Sequence, residues 1–241
     1  MIKRAMNERL KTLQLGCRMT LKPSDLHRCG PDDWSTLARK CVVNGECEGI
    51  EEKMRAFPDF NAHRLTLAQI TGLDPDSYRV MEGYWLGNEY LERARPEHYG
   101  LFLENYRAQG KPQVLINLLT EDRPQFYYPN HFYHVFLEVT RMNAGLPLSL
   151  QAFNNCMVRW GEVDALKGKK ARVILESLAE INGEYQLVRR VEMLPIDRDF
   201  VQGIKVGDSV AVHWGMMAMI LSNREVKKLS SSTMRILTAL Q

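Results

Sequence analysis

Two soft donors stand out late in the chain, Cys156 and His213, each inside a segment that reads as a β-strand. Cys156 opens the run Cys-Met-Val-Arg-Trp-Gly-Glu-Val (156–163), and His213 lies near the end of Lys-Val-Gly-Asp-Ser-Val-Ala-Val-His-Trp-Gly (205–215). Successive strand residues face opposite sides, so Cys156, Val158 and Trp160 share one face of the first strand, and Ser209, Ala211 and His213 share one face of the second. On neighbouring strands such a thiolate and imidazole can converge. They are donors that suit iron, nickel, copper or zinc, and two protein ligands leave positions open for other groups. An open site fits a carrier better than a structural clamp.

A second constellation lies earlier, in Cys29-Gly30-Pro31-Asp32-Asp33-Trp34 and Asn130-His131-Phe132-Tyr133-His134-Val135-Phe136. His131 and His134, three apart, sit on one helix face, and a helix start disfavours their protonation, leaving neutral rings available to a metal. Cys29 precedes a helix capped by Asp32 or Asp33, whose amides are expected to stabilise its thiolate. The same segments also read as turn, cap and packing chemistry alone. Tyr84-Trp85-Leu86-Gly87-Asn88 reads as core plus helix stop, with Trp85 and Asn88 as candidate pocket residues. No paired carboxylates and no Ser-His-Asp arrangement specify a reaction, so catalysis is left open.

The elements that must position these groups fall into two halves. Residues 1 to about 145 read as helical, with helices over Ser35 to Cys41, Asp76 to Arg93 and Pro96 to Gln109. Tyr78, Met81, Tyr84, Trp85 and Leu91 form an apolar stripe on the second of these. His131 to Asn143 suits a further helix with Asn130 as N-cap, although its Phe, Tyr and Val also suit a strand. Ala144-Gly145-Leu146-Pro147 ends that element and marks a domain boundary. After a short helix over Leu148 to Asn154, strands are expected at Cys156 to Val163, Ala171 to Ile181, Glu184 to Leu194 and Ser209 to Leu221. Asn182-Gly183 makes the middle pair a hairpin. Such a sheet can close on itself. Ser222 and Glu225 form a capping box for a last helix whose Val226, Leu229, Thr233, Leu237 and Leu240 share one face. The chain is thus expected to be α+β, with a helical domain over 1–147 and a β domain with a terminal helix over 148–241.

Composition narrows the function. The 241 residues are 45% hydrophobic, enough for a buried core, and 32 Lys and Arg against 29 Asp and Glu leave a net charge of +3 with the signs interleaved. Neither nucleic acid nor an acidic membrane surface is implied as a partner. The basic start is followed by no apolar signal core, and Val210 to Leu221 is too short and too polar at His213 to span a bilayer, so a cytoplasmic protein is expected. The five cysteines, at 17, 29, 41, 47 and 156, follow no framework spacing and read as free thiols or ligands in a reducing compartment.

The Cys-x4-Gly-x-Val opening at Cys156, the Val-Gly-Asp-x-Val-x-Val-His segment ending at His213 and the capped terminal helix resemble the HypC/HupF/HybG chaperones of [NiFe]-hydrogenase maturation. The resemblance covers Asn155 to the C-terminus, with Trp160 where that family usually has proline. It implies an OB-like β-barrel and iron carrying cyanide and carbonyl ligands, held by Cys156 and His213. It also implies HypD-like maturation proteins or the hydrogenase large subunit as partners. Over nearly the full chain, the Cys-Gly-Pro-Asp-Asp, Tyr-Trp-Leu-Gly-Asn, His-x-x-His-Val-Phe and Arg-Trp-Gly segments resemble an uncharacterised bacterial family, which supplies no activity but implies that both halves work as one unit.

The expected function is therefore a metallocentre assembly or delivery factor, with iron as cargo and nickel or zinc as alternatives. The candidate metal ligands are Cys156, His213, His131, His134 and Cys29, and the candidate pocket residues are Trp85, Asn88, Asp32, Tyr84 and Trp160. Two other classes remain: a metal-dependent enzyme in the helical half, acting on a small ligand for the centre, and an interaction module without metal.

Overall fold

Twenty-four residues at the start of the chain form its longest helix, α1 (Ile2–Asp25). Its second half is buried nearly all the way round, with Leu13, Leu15, Cys17, Met19 and Leu21 in the core. A helix apolar on every side must lie between two layers, and α1 does so. One flank packs on the helices that follow, while Arg18 on the other donates to the carbonyls of Phe200 (2.7 Å) and Ala218 (3.0 Å) beside the sheet. The computed structural model describes residues 2–121, 124–139 and 149–239.

The helical half continues through α2 (Trp34–Asn44), α3 (Ile50–Met54), α4 (Pro58–Thr71) and α5 (Tyr78–Leu86). Short 3-10 turns at Glu89–Arg93 and Pro96–His98 lead into α6 (Tyr99–Ala108) and then α7 (Gln113–Glu121). The helix expected over Asp76 to Arg93 is interrupted. Gly87 takes a positive φ of 81°, and Asn88 behind it caps the 3-10 turn by accepting from the Tyr90 amide. α8 (His131–Tyr133) starts at Asn130, whose side chain accepts from the Tyr133 amide at 3.0 Å, and runs on as a π-helical segment, His134–Val139. The expected boundary at Ala144 to Pro147, like Leu240, lies outside the described residues.

The β half begins with α9 (Leu150–Cys156), capped by Ser149. Then come β1 (Arg159–Lys167), β2 (Lys170–Ile181), β3 (Glu184–Pro195), β4 (Ser209–His213), β5 (Met216–Leu221) and α10 (Asn223–Ala239). The sheet is antiparallel throughout, in the order β3-β2-β1-β4-β5. It curls around a small core of its own, Val163, Val173, Leu175, Val210, Val212 and Met217 among others. No ladder joins its edges β3 and β5 among the described residues, so the expected barrel is a rolled sheet open along that seam.

The hairpin and the last helix form where expected. Asn182 and Gly183 both take positive φ, and Ser222 and Glu225 exchange their capping hydrogen bonds. Two expectations need correcting. Cys156 ends a helix and does not open a strand, because the chain turns extended only from Met157 onward. The segment Ser209 to Leu221 is two strands, separated by a tight turn at Trp214 (φ 51°) and Gly215 (φ 72°).

The outer face of β4 and the helical half share one apolar core. Val158, Trp160, Ala211 and Ala218 pack in the same cluster as Met19, Trp85 and Tyr133, so the sheet shares this core with the helices besides holding its own small one. Two motif glycines allow close approaches. A Cβ on Gly161 would lie 2.2 Å from the Ile174 carbonyl oxygen of β2, and one on Gly87 would lie 1.8 Å from Ser232 Oγ of α10.

Candidate functional site

His213 is the last residue of β4 and points away from the small sheet core into the shared one, as its alternation with Val210 and Val212 requires. There its ring lies between two carbonyls. Nδ1 is 2.5 Å from the Met19 oxygen of α1, and Nε2 is 2.8 Å from the Cys156 oxygen at the end of α9. Both partners are carbonyls, which only accept, so a neutral ring can donate to just one of them, and the shorter contact, to Met19, places the proton on Nδ1. Burial pushes the ring down to about 4, against the help of both carbonyls, so at neutral pH it carries that one proton alone. Its Nε2 is then a lone pair facing an oxygen lone pair, a contact that a shared cation or proton would relieve.

His131, the first residue of α8, converges on the same atom. Its Nε2 is 2.9 Å from the Cys156 oxygen and its Nδ1 is 3.2 Å from the Tyr84 hydroxyl. Here a neutral ring satisfies both contacts, donating from Nε2 and accepting from the hydroxyl. Burial, then the neighbouring His213 and His134, hold it well below the usual histidine range. The His131 and His213 ring centres are 5.2 Å apart, and the buried Trp85 lies 4.4 Å from the first and 5.9 Å from the second. The Trp85 Nε1–H is buried with no hydrogen-bond partner among the described residues.

The oxygen these rings share is a helix-terminal carbonyl, one of the acceptors that α9 leaves unpaired. The next one back, on Asn155, accepts from the Trp214 amide at 3.0 Å, so the β4–β5 turn is pinned to the same helix end. The Cys156 side chain is partly exposed. Desolvation pushes its thiol up to about 11, partly offset by the charge of Arg28, whose guanidinium lies 5.8 Å from the Trp214 ring centre. A metal taken here must displace a proton.

Cys29 stands at the same mouth. Solvent reaches it, yet surrounding protein pushes its thiol up to about 12, and Cys156 and Asp59 add to the effect. The expected thiolate stabilisation by helix amides does not occur. The N-cap of α2 is Asp33, whose carboxylate makes no cap bond and pairs with Lys53 instead, and Asp32 is exposed in the turn.

The fold thus brings Cys29, Tyr84, Trp85, His131, His134, Cys156 and His213 into one region, while Asn88 is a structural cap and Trp160 packs opposite Ala211. Sequence reasoning missed His63, fully buried on α4 with its ring 5.5 Å from that of His134, and Asp59 one turn before it. The signal was present as a four-residue spacing on one helix face. It also missed a disulfide. Cys41 and Cys47 are bonded, which overturns the reading of all five cysteines as free. Among the described residues, no three His, Cys, Asp or Glu groups are placed to hold a metal together, and no helix is long and apolar enough to cross a membrane.

The model of the family of unknown function DUF6390 matches residues 11–241, and the chain belongs to that family, which spans helices and sheet alike. No curated protein and no solved structure matches.

Proposed function

We propose that the chain is a metallocentre assembly or delivery factor that holds iron through Cys156 and His213, in the manner of the HypC-type chaperones its C-terminal half resembles. One observation carries this reading: His213 Nε2 lies 2.8 Å from the Cys156 carbonyl oxygen, with the opposite nitrogen set by the Met19 carbonyl, so the imidazole stands against the residue that bears the thiol. Metal-binding imidazoles are commonly oriented this way, with the other ring N–H donated to a backbone carbonyl. The donor set fits the cargo: one thiolate and one imidazole suit iron and leave positions for exogenous ligands. The Trp85 N–H beside the two rings, without a hydrogen-bond partner among the described residues, suits the acceptor end of a cyanide or carbonyl ligand. Two protein ligands also release a cargo more readily than four. The partners on this reading are a HypD-like scaffold or a hydrogenase large subunit, in the cytoplasm.

The test is iron content and the infrared spectrum of protein purified without oxygen. Wild type is expected to hold iron with diatomic stretching bands, and Cys156→Ala and His213→Ala to lose both. Wild type devoid of iron after co-expression with maturation proteins would sink the reading. A second reading has an observation of its own, the capping of the last α9 carbonyl by His131, with the His213 ring packed against the same oxygen, which suits an interaction module without metal.

A further inference from the structure

β3 is an edge of the sheet, and its outer side meets no ladder among the described residues. Ile181 and Glu184 flank the two-residue Asn182-Gly183 turn as an opposed pair, and a pair in that position exchanges both of its main-chain hydrogen bonds. The register then runs without a bulge to Pro195, so the even-numbered residues of β3 bond to β2. Arg189, Val191 and Met193 therefore aim their main-chain N–H and C=O groups outward, unpaired.

The side chains of the same residues lie on the face of β3 turned away from the small sheet core. At the start of the strand the helical half covers that face, with the Tyr185 ring centre 5.0 Å from that of Phe136. Farther along it is bare, Val191 being 62% exposed and Met193 44%. Ile174, half-buried on β2, pairs with Val191 and extends the apolar row inward.

Charge selects what covers this edge. A second β3 added antiparallel about a two-fold axis normal to the sheet brings one residue opposite its own copy. An axis at Arg190 would set two guanidinium groups together, and one at Glu192 two carboxylates. An axis at Val191 instead places Arg190 opposite the second copy's Glu192 on both sides, in the non-hydrogen-bonded positions where side chains stand closest. Val191 then meets Val191, and Met193 meets the stem of Arg189. Glu192 already accepts from Arg159 at 2.5 and 3.3 Å, yet its side chain is 33% exposed, and a carboxylate has lone pairs for a second guanidinium. Charges ordinarily blunt an edge strand; these compensate one another in a second copy.

We propose that two copies of the chain associate through β3, antiparallel about an axis at Val191, into one continuous sheet. This is independent of the cargo reading at Cys156. The test is sedimentation equilibrium of the full chain over a dilution series, with a thermal melt of each variant. Wild type is expected to dimerise. Val191→Lys, which sets like charges on the axis, and Arg190→Glu, which faces Glu192 with its own sign, should each weaken association by about tenfold or more. An equimolar mixture of Arg190→Glu and Glu192→Lys restores both ion pairs and should associate within about threefold of wild type, although neither variant does so alone. If Glu192→Lys fails to fold without its bond to Arg159, Val191→Lys and Arg190→Glu decide. A wild type that stays monomeric at about 0.1 mM, a dimer that both variants leave intact, or a mixture of folded variants no tighter than its components would overturn the proposal.

Discussion

His131 and His213 aim their Nε2 atoms at a single oxygen, the Cys156 carbonyl, from 2.9 and 2.8 Å. One ring comes from the helical half and the other from the sheet, so this oxygen is one of the points at which the two halves meet, as are the Arg18 contacts with Phe200 and Ala218.

Removing either ring should be felt in stability as well as in metal content. His213→Ala leaves a cavity and deprives the Met19 carbonyl of its donor, and is expected to cost about 2 to 4 kcal/mol in urea unfolding of the metal-free protein. An unchanged midpoint would show that the ring is not packed as described.

Acid should destabilise the metal-free chain through the same residue. The folded ring titrates at about 4, whereas the unfolded one titrates near its ordinary 6.5. Between those values the unfolded chain binds the extra proton, so stability is full above pH 6.5 and falls as pH drops toward 4, by about 3 kcal/mol for this group. Urea midpoints measured across that window should decline in wild type and decline less in His213→Gln, where the buried His131 still contributes.

Thiol chemistry should sort the cysteines. Cys41 and Cys47 are bonded, so an alkylating reagent should label at most Cys17, Cys29 and Cys156 without reductant. Cys17 is buried and its thiol is raised to about 12, so it should resist until unfolding. Iron should protect Cys156. Reduction of the Cys41–Cys47 loop should cost about 2 kcal/mol by the chain-entropy argument, and five labels on native protein without reductant would refute the pairing.

The glycines make opposite predictions. Gly161→Ala forces a Cβ onto the Ile174 backbone and should destabilise by about 2 to 3 kcal/mol. Gly100→Ala, on α6 with nothing within 4 Å, should stabilise by about 0.5 kcal/mol. Thermal melts of the two variants would check both signs.

Local rules made much of this fold legible. Asn182-Gly183 forces its own turn, the Ser222 and Glu225 box closes on itself, and Asn130 caps the helix that follows; each depends on neighbours in sequence. The errors came where distant packing decides. Trp214 is not a usual turn former, yet the Asn155 carbonyl fixes its amide and splits the expected long strand in two. α1 escaped notice because burial on every side erases the periodicity that reveals a helix. The site was half legible: the His-x-x-His segment and His213 meet at the backbone carbonyl of Cys156, while His63 and the Met19 carbonyl become visible only when α1, α4 and α8 are seen together.

The contacts that orient the two imidazoles are largely main-chain oxygens, contributed by Met19 and Cys156. Substituting those side chains leaves the oxygens in place. Replacing the sulfur at 156 therefore deletes a donor while both rings stay anchored, giving a variant in which loss of cargo can be separated from loss of architecture.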